Sequence, residues 1–429
     1  FGTLFSKEAK ETDNLHIFTT QNITPALNFS LLYDRFGGGG FLANETTTNK
    51  TFAAQSNYLG KKYMMHAGYI YNMISRDENG GVLDNFDIRD TTIDAREAKV
   101  RLSNASSKIK KNTLFLDQQY RIPLSFIKDL FAKGAQADTL EAALPEVTEE
   151  SQEGKPGPEE ATDLTVDEAE ATKEEADSTG IDTEGTTAFI GHSSELSTYY
   201  RTYQDKISND VERQFFNNVF NLNPNTSFDS LRVMKLDNKV FMRLQPWSDE
   251  GIVSKLDVGA GERLMNYYKF DPTYLHEPSN YHWNATYVYA GVEGQFKKYM
   301  EWDAKGHYVL LGDESNDFDL SANLRLYLFP FRRDKQNPVI IKGHFETSLE
   351  EPEYYTQHLL TNHFKWENEF SKISTTSIQG SIAIPKWNLG AEVTYTLLAN
   401  NLFYDTLGIV RQNTEPMSIL SASLHKDFT

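Results

Sequence analysis

In the segment FDLSANLRLYLF, residues 318–329, side-chain character follows parity. Phe318, Leu320, Ala322, Leu324, Leu326 and Leu328 fall on one side, with Asp319, Ser321, Asn323 and Arg325 on the other, where Tyr327 and Phe329 close the run. Successive side chains of a strand point to opposite faces, so a period of two predicts a two-faced strand. The pattern recurs along the chain. Leu27, Phe29, Leu31 and Tyr33 alternate with Asn28, Ser30 and Asp34; Val339, Ile341 and Phe345 with Lys342, His344, Glu346 and Ser348. Leu389, Ala391, Val393, Tyr395 and Leu397 alternate with Asn388, Glu392, Thr394 and Thr396. About fifteen such strands are predicted, many of about ten residues, the length of a tilted membrane crossing rather than of an ordinary soluble strand.

The connections alternate too. Short ones, LGKK, QFKKY, FPFRRDKQN and IPKWN, take turns with long ones such as GGGGFLANETTTN and YYTQHLLTNHF. Short turns at one end and long loops at the other are the signature of an outer-membrane barrel, with the long loops outside the cell. Packed inward in water, the leucine faces would need covering sheets or amphipathic helices, and the chain supplies almost none. Against lipid they need no cover, and a closed sheet has no exposed edge. The expected fold is therefore an all-β, transmembrane, antiparallel up-and-down barrel of about 14–18 strands. Its leucines face lipid and Arg325 faces the lumen. Aromatic residues gather at segment ends, at Tyr199, Tyr200 and Tyr203, Tyr267, Tyr268 and Phe270, Tyr281 and Trp283, and Phe329 and Phe331. That placement predicts girdles at the headgroup layers.

Charge alters this picture in one place. The 429 residues carry a formal net charge of -19, but residues 132–186 alone hold seventeen Asp/Glu against three Lys, which leaves the rest close to neutral. This stretch is rich in Glu, Pro, Thr and Ala and poor in large apolar residues, so it is expected to be disordered. It is read either as a solvated spacer or as an acidic arm for a protein partner. Residues 1–131 and 187–429 are expected to form a single barrel domain around it, and by parity the insertion falls on the short-turn, periplasmic side. No basic patch supports nucleic-acid binding. Without cysteine there is no disulfide framework or thiolate metal site, and no apolar run is long enough for a helical span. No charged-then-apolar leader follows Phe1, so a signal peptide is either already removed or never existed, and the last residues stop in mid-pattern, so the chain is expected to be a trimmed piece of a longer one, truncated at both ends.

The stretches SNYLGKKYMMHAGYIYNMISRDENGG, VRLSNASSKIKKNTLFLDQQYRI and SNYHWNATYVYAGVEGQFKKYMEWDAKGHYVLLGDESNDFDLSANLRLYLF resemble the "putative porin" family of Bacteroidota outer membranes. The likeness covers most of the chain apart from the acidic insertion. It implies a β-barrel in the outer membrane of a Gram-negative bacterium, with a pore role and no catalytic residues.

By parity the candidate lumen-lining residues are Lys239, Arg243, Lys255, Asp257, Arg263, Glu301, Asp303, Lys305, Asp319, Arg325, Lys342, His344, Glu346 and Glu392. Both signs occur in similar number, which suits a mutually paired, water-lined wall better than a strongly ion-selective one. The expected function is passive diffusion of small polar solutes. The alternative is a plugged structural or docking barrel whose acidic insertion binds a periplasmic or surface partner.

Other motifs reduce to structure. RDENGG (Arg76–Gly81) lacks the glutamate that completes a calcium loop and is read as a turn. DESND (Asp313–Asp317) is read as a polar hairpin turn. FGGGGF (Phe36–Phe41) lacks the Lys-Ser/Thr and helix of a phosphate cradle and is read as a mobile loop or constriction segment. His358 and His363 miss the metalloprotease spacing and are expected to be exposed loop histidines. GHSSEL (Gly191–Leu196) alternates as a strand, sending His192 and Ser193 to opposite faces. No nucleophile constellation, cofactor site or metal site is found, so an enzyme is not expected.

Overall fold

A computed structural model describes residues 13–84, 94–123, 187–206, 210–216, 220, 225–245, 252–268, 280–330 and 337–428. The acidic segment 132–186, with its expected disorder, lies outside the described residues, as do Phe270 and Phe331. The strands are β1 (Asp13–Thr24), β2 (Leu27–Gly38), β3 (Thr47–Leu59), β4 (Tyr63–Glu78), β5 (Ala105–Pro123) and β6 (Thr187–Lys206). Next come β7 (Thr226–Gln245), β8 (Lys255–Tyr268), β9 (Asn280–Phe296), β10 (Met300–Gly312), β11 (Phe318–Leu328) and β12 (Val339–Glu350). The ribbon of β13 (His358–Leu360) and β14 (Lys365–Glu367) is followed by β15 (Ile373–Ile384) and β16 (Leu389–Ala399). A second ribbon, β17 (Asn401–Tyr404) and β18 (Val410–Asn413), precedes β19 (Met417–Lys426).

Fifteen of these strands form one sheet in chain order, β1 to β12, then β15, β16 and β19, antiparallel along every register described. This is the expected up-and-down topology. The short connections Gly60–Lys62, Lys297–Tyr299 and Pro385–Asn388 lie at one end, and the two small ribbons sit in loops at the other. Of RDENGG, Arg76, Asp77 and Glu78 are the last residues of β4, and the turn is made after them by Gly80 and Gly81, with φ of 65° and 87°. DESND closes the β10–β11 hairpin, also as expected.

Two helical turns, α1 (Asp210–Phe215) and α2 (Tyr354–Gln357), belong to the loop end. Among the described residues no helix is long and apolar enough to cross a membrane.

The register assigns every side chain to a face. Leu324 lies opposite Trp302 on β10 and Gly343 on β12, whereas Arg325 lies opposite Glu301 and Lys342. The apolar face is uncovered. Leu320, Leu324 and Leu328 are 43%, 40% and 47% exposed, so the leucines of the 318–329 strand have no protein interior to pack into. Val240, Leu264, Val288, Ile378, Ile382 and Val393 on neighbouring strands are exposed on the same side. Soluble proteins rarely leave so continuous an apolar surface open to water, which makes hydrocarbon the phase that this face meets.

The opposite face packs differently. Gly259 and Gly261 sit beneath the rings of Tyr289 and Tyr287: an added Cβ would come within 2.6 Å and 2.5 Å of ring carbons. Large rings thus lie flat along the wall where a neighbouring strand offers no side chain.

The two faces should tolerate charge unequally. Leu324→Arg is expected to cost about 2–4 kcal/mol of folding stability in bilayers, whereas Asn323→Arg, one residue away, should be nearly neutral. Urea titration of folding into lipid vesicles would measure both.

Candidate functional site: a mixed-charge wall

All fourteen parity candidates fall on the polar face, and the register gathers most of them into networks. Arg243 donates from Nε to both Asp257 oxygens at 3.1 and 3.0 Å and from Nη1 to Gln119 Oε1 at 3.4 Å. Lys255 donates to Glu293 at 2.9 Å and stands 3.9 Å from Asp257. Arg263 bridges Asp237 at 3.2 Å and Glu314 at 2.8 Å. Tyr287 donates its hydroxyl to the other Asp237 oxygen at 2.6 Å, and the Arg263 guanidinium lies 5.5 Å from the Tyr287 ring centre. Lys239 stands 5.8 Å from the Tyr289 ring centre.

Further along the wall, Arg325 donates to Glu301 at 3.1 Å, and Tyr327 donates to the same carboxylate at 3.1 Å. Asn323 links Asp303 at 3.0 Å with His344 at 2.8 Å, and His344 stands 3.5 Å from Glu346.

Two clefts open on this face. The larger, about 780 Å³, is lined by Glu301, Asp303, Lys305, Arg325, Lys342, His344 and Glu392, together with Glu293, Gln295 and Gln379. The smaller, about 300 Å³, is lined by Ser193, Glu195, Lys235, Asp237, Lys239, Arg263, Tyr287, Tyr289 and His307. Asp319 lies on the same face opposite His307 and Ser348. Within the larger cleft four carboxylates meet three cations, so neither sign dominates. Pairs as exposed as Arg325–Glu301 contribute about 0–1 kcal/mol to stability. Their larger effect is to fix side-chain positions and keep the wall wetted.

Sequence reasoning missed Asp237, Glu293, Glu195 and Lys235, although all four share the parity of the residues singled out. It could not see Glu314, which reaches Arg263 from the DESND turn, because that contact joins residues 51 positions apart.

At the loop end two expectations are corrected. His363 is not exposed: it is 4% accessible, stacked on Phe216 with ring centres 3.7 Å apart, and its Nε2 lies 2.7 Å from Ser227 Oγ. The imidazole offers a flat face and a polar edge, and both are used here. Tyr267 and Trp283 do not reach a headgroup layer. They point to the polar face, 4% and 6% exposed, and pack with Tyr354 of α2. Tyr268, one residue on, takes the outward direction instead. His358 keeps partial exposure and lies 2.6 Å from Glu367.

The loops are tied together by polar contacts. Lys372 Nζ donates to Asp317 at 2.5 Å, whose other oxygen accepts the Glu351 amide at 2.8 Å. Gln412 donates to the Ser371 and Asn400 carbonyls at 2.6 and 2.9 Å. Glu212 of α1 is buried and accepts from the Ser103 amide at 3.0 Å and from its hydroxyl. Asp205, 1% exposed, has its carboxyl pushed above the usual range, first by burial and then by the nearby Glu212 charge.

These features define the class: a β-barrel wall with one face for lipid and one for water, as in the outer membrane of Gram-negative bacteria. The family model for the "Putative porin" family matches residues 3–429, and the chain belongs to that family. No curated protein matches.

Among solved structures, the siderophore receptor PirA from Acinetobacter baumannii is similar with a TM-score of 0.56 at 10% identity, over 99% of this chain and 58% of that one. The ferric enterobactin receptor PfeA from Pseudomonas aeruginosa is similar with a TM-score of 0.53 at 9% identity, over 93% of this chain and 52% of that one. The chain thus spans a little over half the length of these outer-membrane barrels, and the likeness concerns the fold.

Arg263→Met should leave Asp237 and Glu314 without their cation and cost about 1–3 kcal/mol, read by denaturant unfolding in vesicles. A second expectation concerns pH. The Asp205 carboxyl is raised in the folded state, so the penalty for ionising it is absent below its unfolded value, grows as pH rises through the carboxylate range and persists above the folded value. Amides of α1 should therefore exchange more slowly at acid than at neutral pH after correction for intrinsic rates. Asp205→Asn should remove most of that difference.

Proposed function

We propose that this barrel is a passive channel for small polar solutes, with the polar face as the wall of its water-filled lumen. The observation that carries the reading is the pairing of opposite charges across adjacent strands on one face, while the other face exposes leucine, isoleucine and valine. A wall of alternating donors and acceptors can exchange hydrogen bonds with a passing solute at many weak sites, which favours passage over capture. Near-balanced charge gives little preference between small anions and cations. The likeness to siderophore receptors supports the barrel scaffold, and the chemistry of the wall supports the solute class. No chemical step is assigned to it.

The test is conductance of the full chain in planar bilayers. Sustained open currents with a reversal potential near zero in a salt gradient are expected, and the double variant Arg325→Glu/Lys342→Glu should move the reversal potential toward cation preference. A chain that inserts but conducts no current would favour a docking barrel instead. In that case deletion of residues 132–186 should release a bound partner.

A further inference from the structure

The lipid-facing side is not apolar throughout. Arg35 on β2 lies opposite Lys50 on β3, Lys50 opposite Met73 on β4, and Met73 opposite Lys110 on β5. All four share the face of Leu31, Ala54, Tyr69 and Leu114, which are themselves cross-strand partners in series. Lys108, two residues nearer the long-loop end, points the same way, opposite Ser75. The face continues onto β6 through the hydrogen bonds of Asn112 with Thr198 and Gln118 with His192. There Tyr200 is opposite Arg232 of β7, whose guanidinium lies 4.6 Å from the ring centre of Tyr268.

Height places this row at a headgroup layer. Tyr120 marks the short-turn end of β5, and Lys110 is ten residues further along the strand. A tilted strand rises about 2.5 Å per residue along the membrane normal, so the two are about 25 Å apart, the height of a barrel's apolar band. Lys110 therefore stands where the outer leaflet meets water on the long-loop side.

The row is also short of anions. Arg35 has Asp13 at 3.4 Å, and Asp77, opposite Ser106 two residues beyond Lys108, shares the face and accepts from the Thr46 hydroxyl, but Lys50, Lys108 and Lys110 make no ion pair among the described residues. Lys50 and Lys110 are two strands apart, about 10 Å, close enough for their charges to repel at the edge of hydrocarbon. On β8, β10, β11 and β12 the outward residues near the loop end are Tyr268, Leu311, Phe318 and Leu349, and none is charged. The lysines and arginines of this row lie on β2, β3, β5 and β7.

We propose that Lys50, Lys108 and Lys110, flanked by Arg35 and Arg232, form a binding site for the phosphate groups of an anionic outer-leaflet glycolipid whose acyl chains lie along Leu31 and Leu114. The lysine stems cover apolar wall while the ammonium groups reach the headgroup plane, and phosphates there supply the counter-charge that the protein lacks.

The test is titration of the purified full chain in detergent with bisphosphorylated lipid A, read as bound lipid per chain by native mass spectrometry. Lys50→Gln/Lys108→Gln/Lys110→Gln should weaken binding about tenfold or more. The charge-matched control Lys61→Gln/Lys62→Gln/Lys297→Gln, on the short-turn rim, should leave it unchanged. Dephosphorylated lipid A should bind the unaltered protein no better than phosphorylated lipid A binds the triple variant. If the triple variant does not fold, Lys110→Gln alone carries the comparison with an expected loss of a few fold. Equal affinity of altered and unaltered chains overturns the proposal. So does complete displacement of the lipid by equimolar inorganic phosphate, which would make the row a site for free phosphate.

Discussion

A chain that crosses hydrocarbon must hand each backbone N–H and C=O to a neighbour, because no water is present to receive it. In this protein that demand is met by long antiparallel ladders, in which the fifteen strands of the sheet follow one another in chain order, with the two ribbons set aside in the loops. Once the ladders are fixed, so is everything else. Parity decides which side chains touch lipid, register decides which charges meet, and a one-residue slip would drive Arg325 into the bilayer and Leu324 into water.

The polar face shows how such a wall remains stable while staying wet. Its charges are neither buried nor free. Arg243, Arg263 and Arg325 each hold a carboxylate on the adjacent strand, so the pairs stitch neighbouring strands together as they neutralise one another. The aromatic rings add stiffness: Tyr287 and Tyr289 lie over Gly261 and Gly259 and hold their strands at the close spacing that a flat ring requires. A wall of this sort presents a solute with fixed dipoles rather than a cloud of mobile side chains.

Much of this was legible from the sequence because a period of two is a local property. The strands, their order, the side of the short turns and the faces of Leu324 and Arg325 all follow from residues within a dozen positions of one another. What escaped depended on distance along the chain. Glu314 joins Arg263 only because the β10–β11 turn folds back over the wall, and no local pattern marks it. His363 looks like a loop histidine until Phe216 and Ser227, more than a hundred residues earlier, close around it. Tyr267 and Tyr268 are neighbours in a row of aromatics, yet one is an anchor for α2 and the other faces outward, a distinction that strand parity contains and an aromatic count does not.

The ties made by Lys372 and Gln412 have a mechanical consequence. They join the β10–β11 turn, the segment after β12 and the hairpin of β17 and β18 through short polar contacts, so that these loops move as a collar instead of as separate flaps. Lateral pressure from the bilayer acts on the strands below, and a collar braced within itself would pass little of that stress to the opening it surrounds.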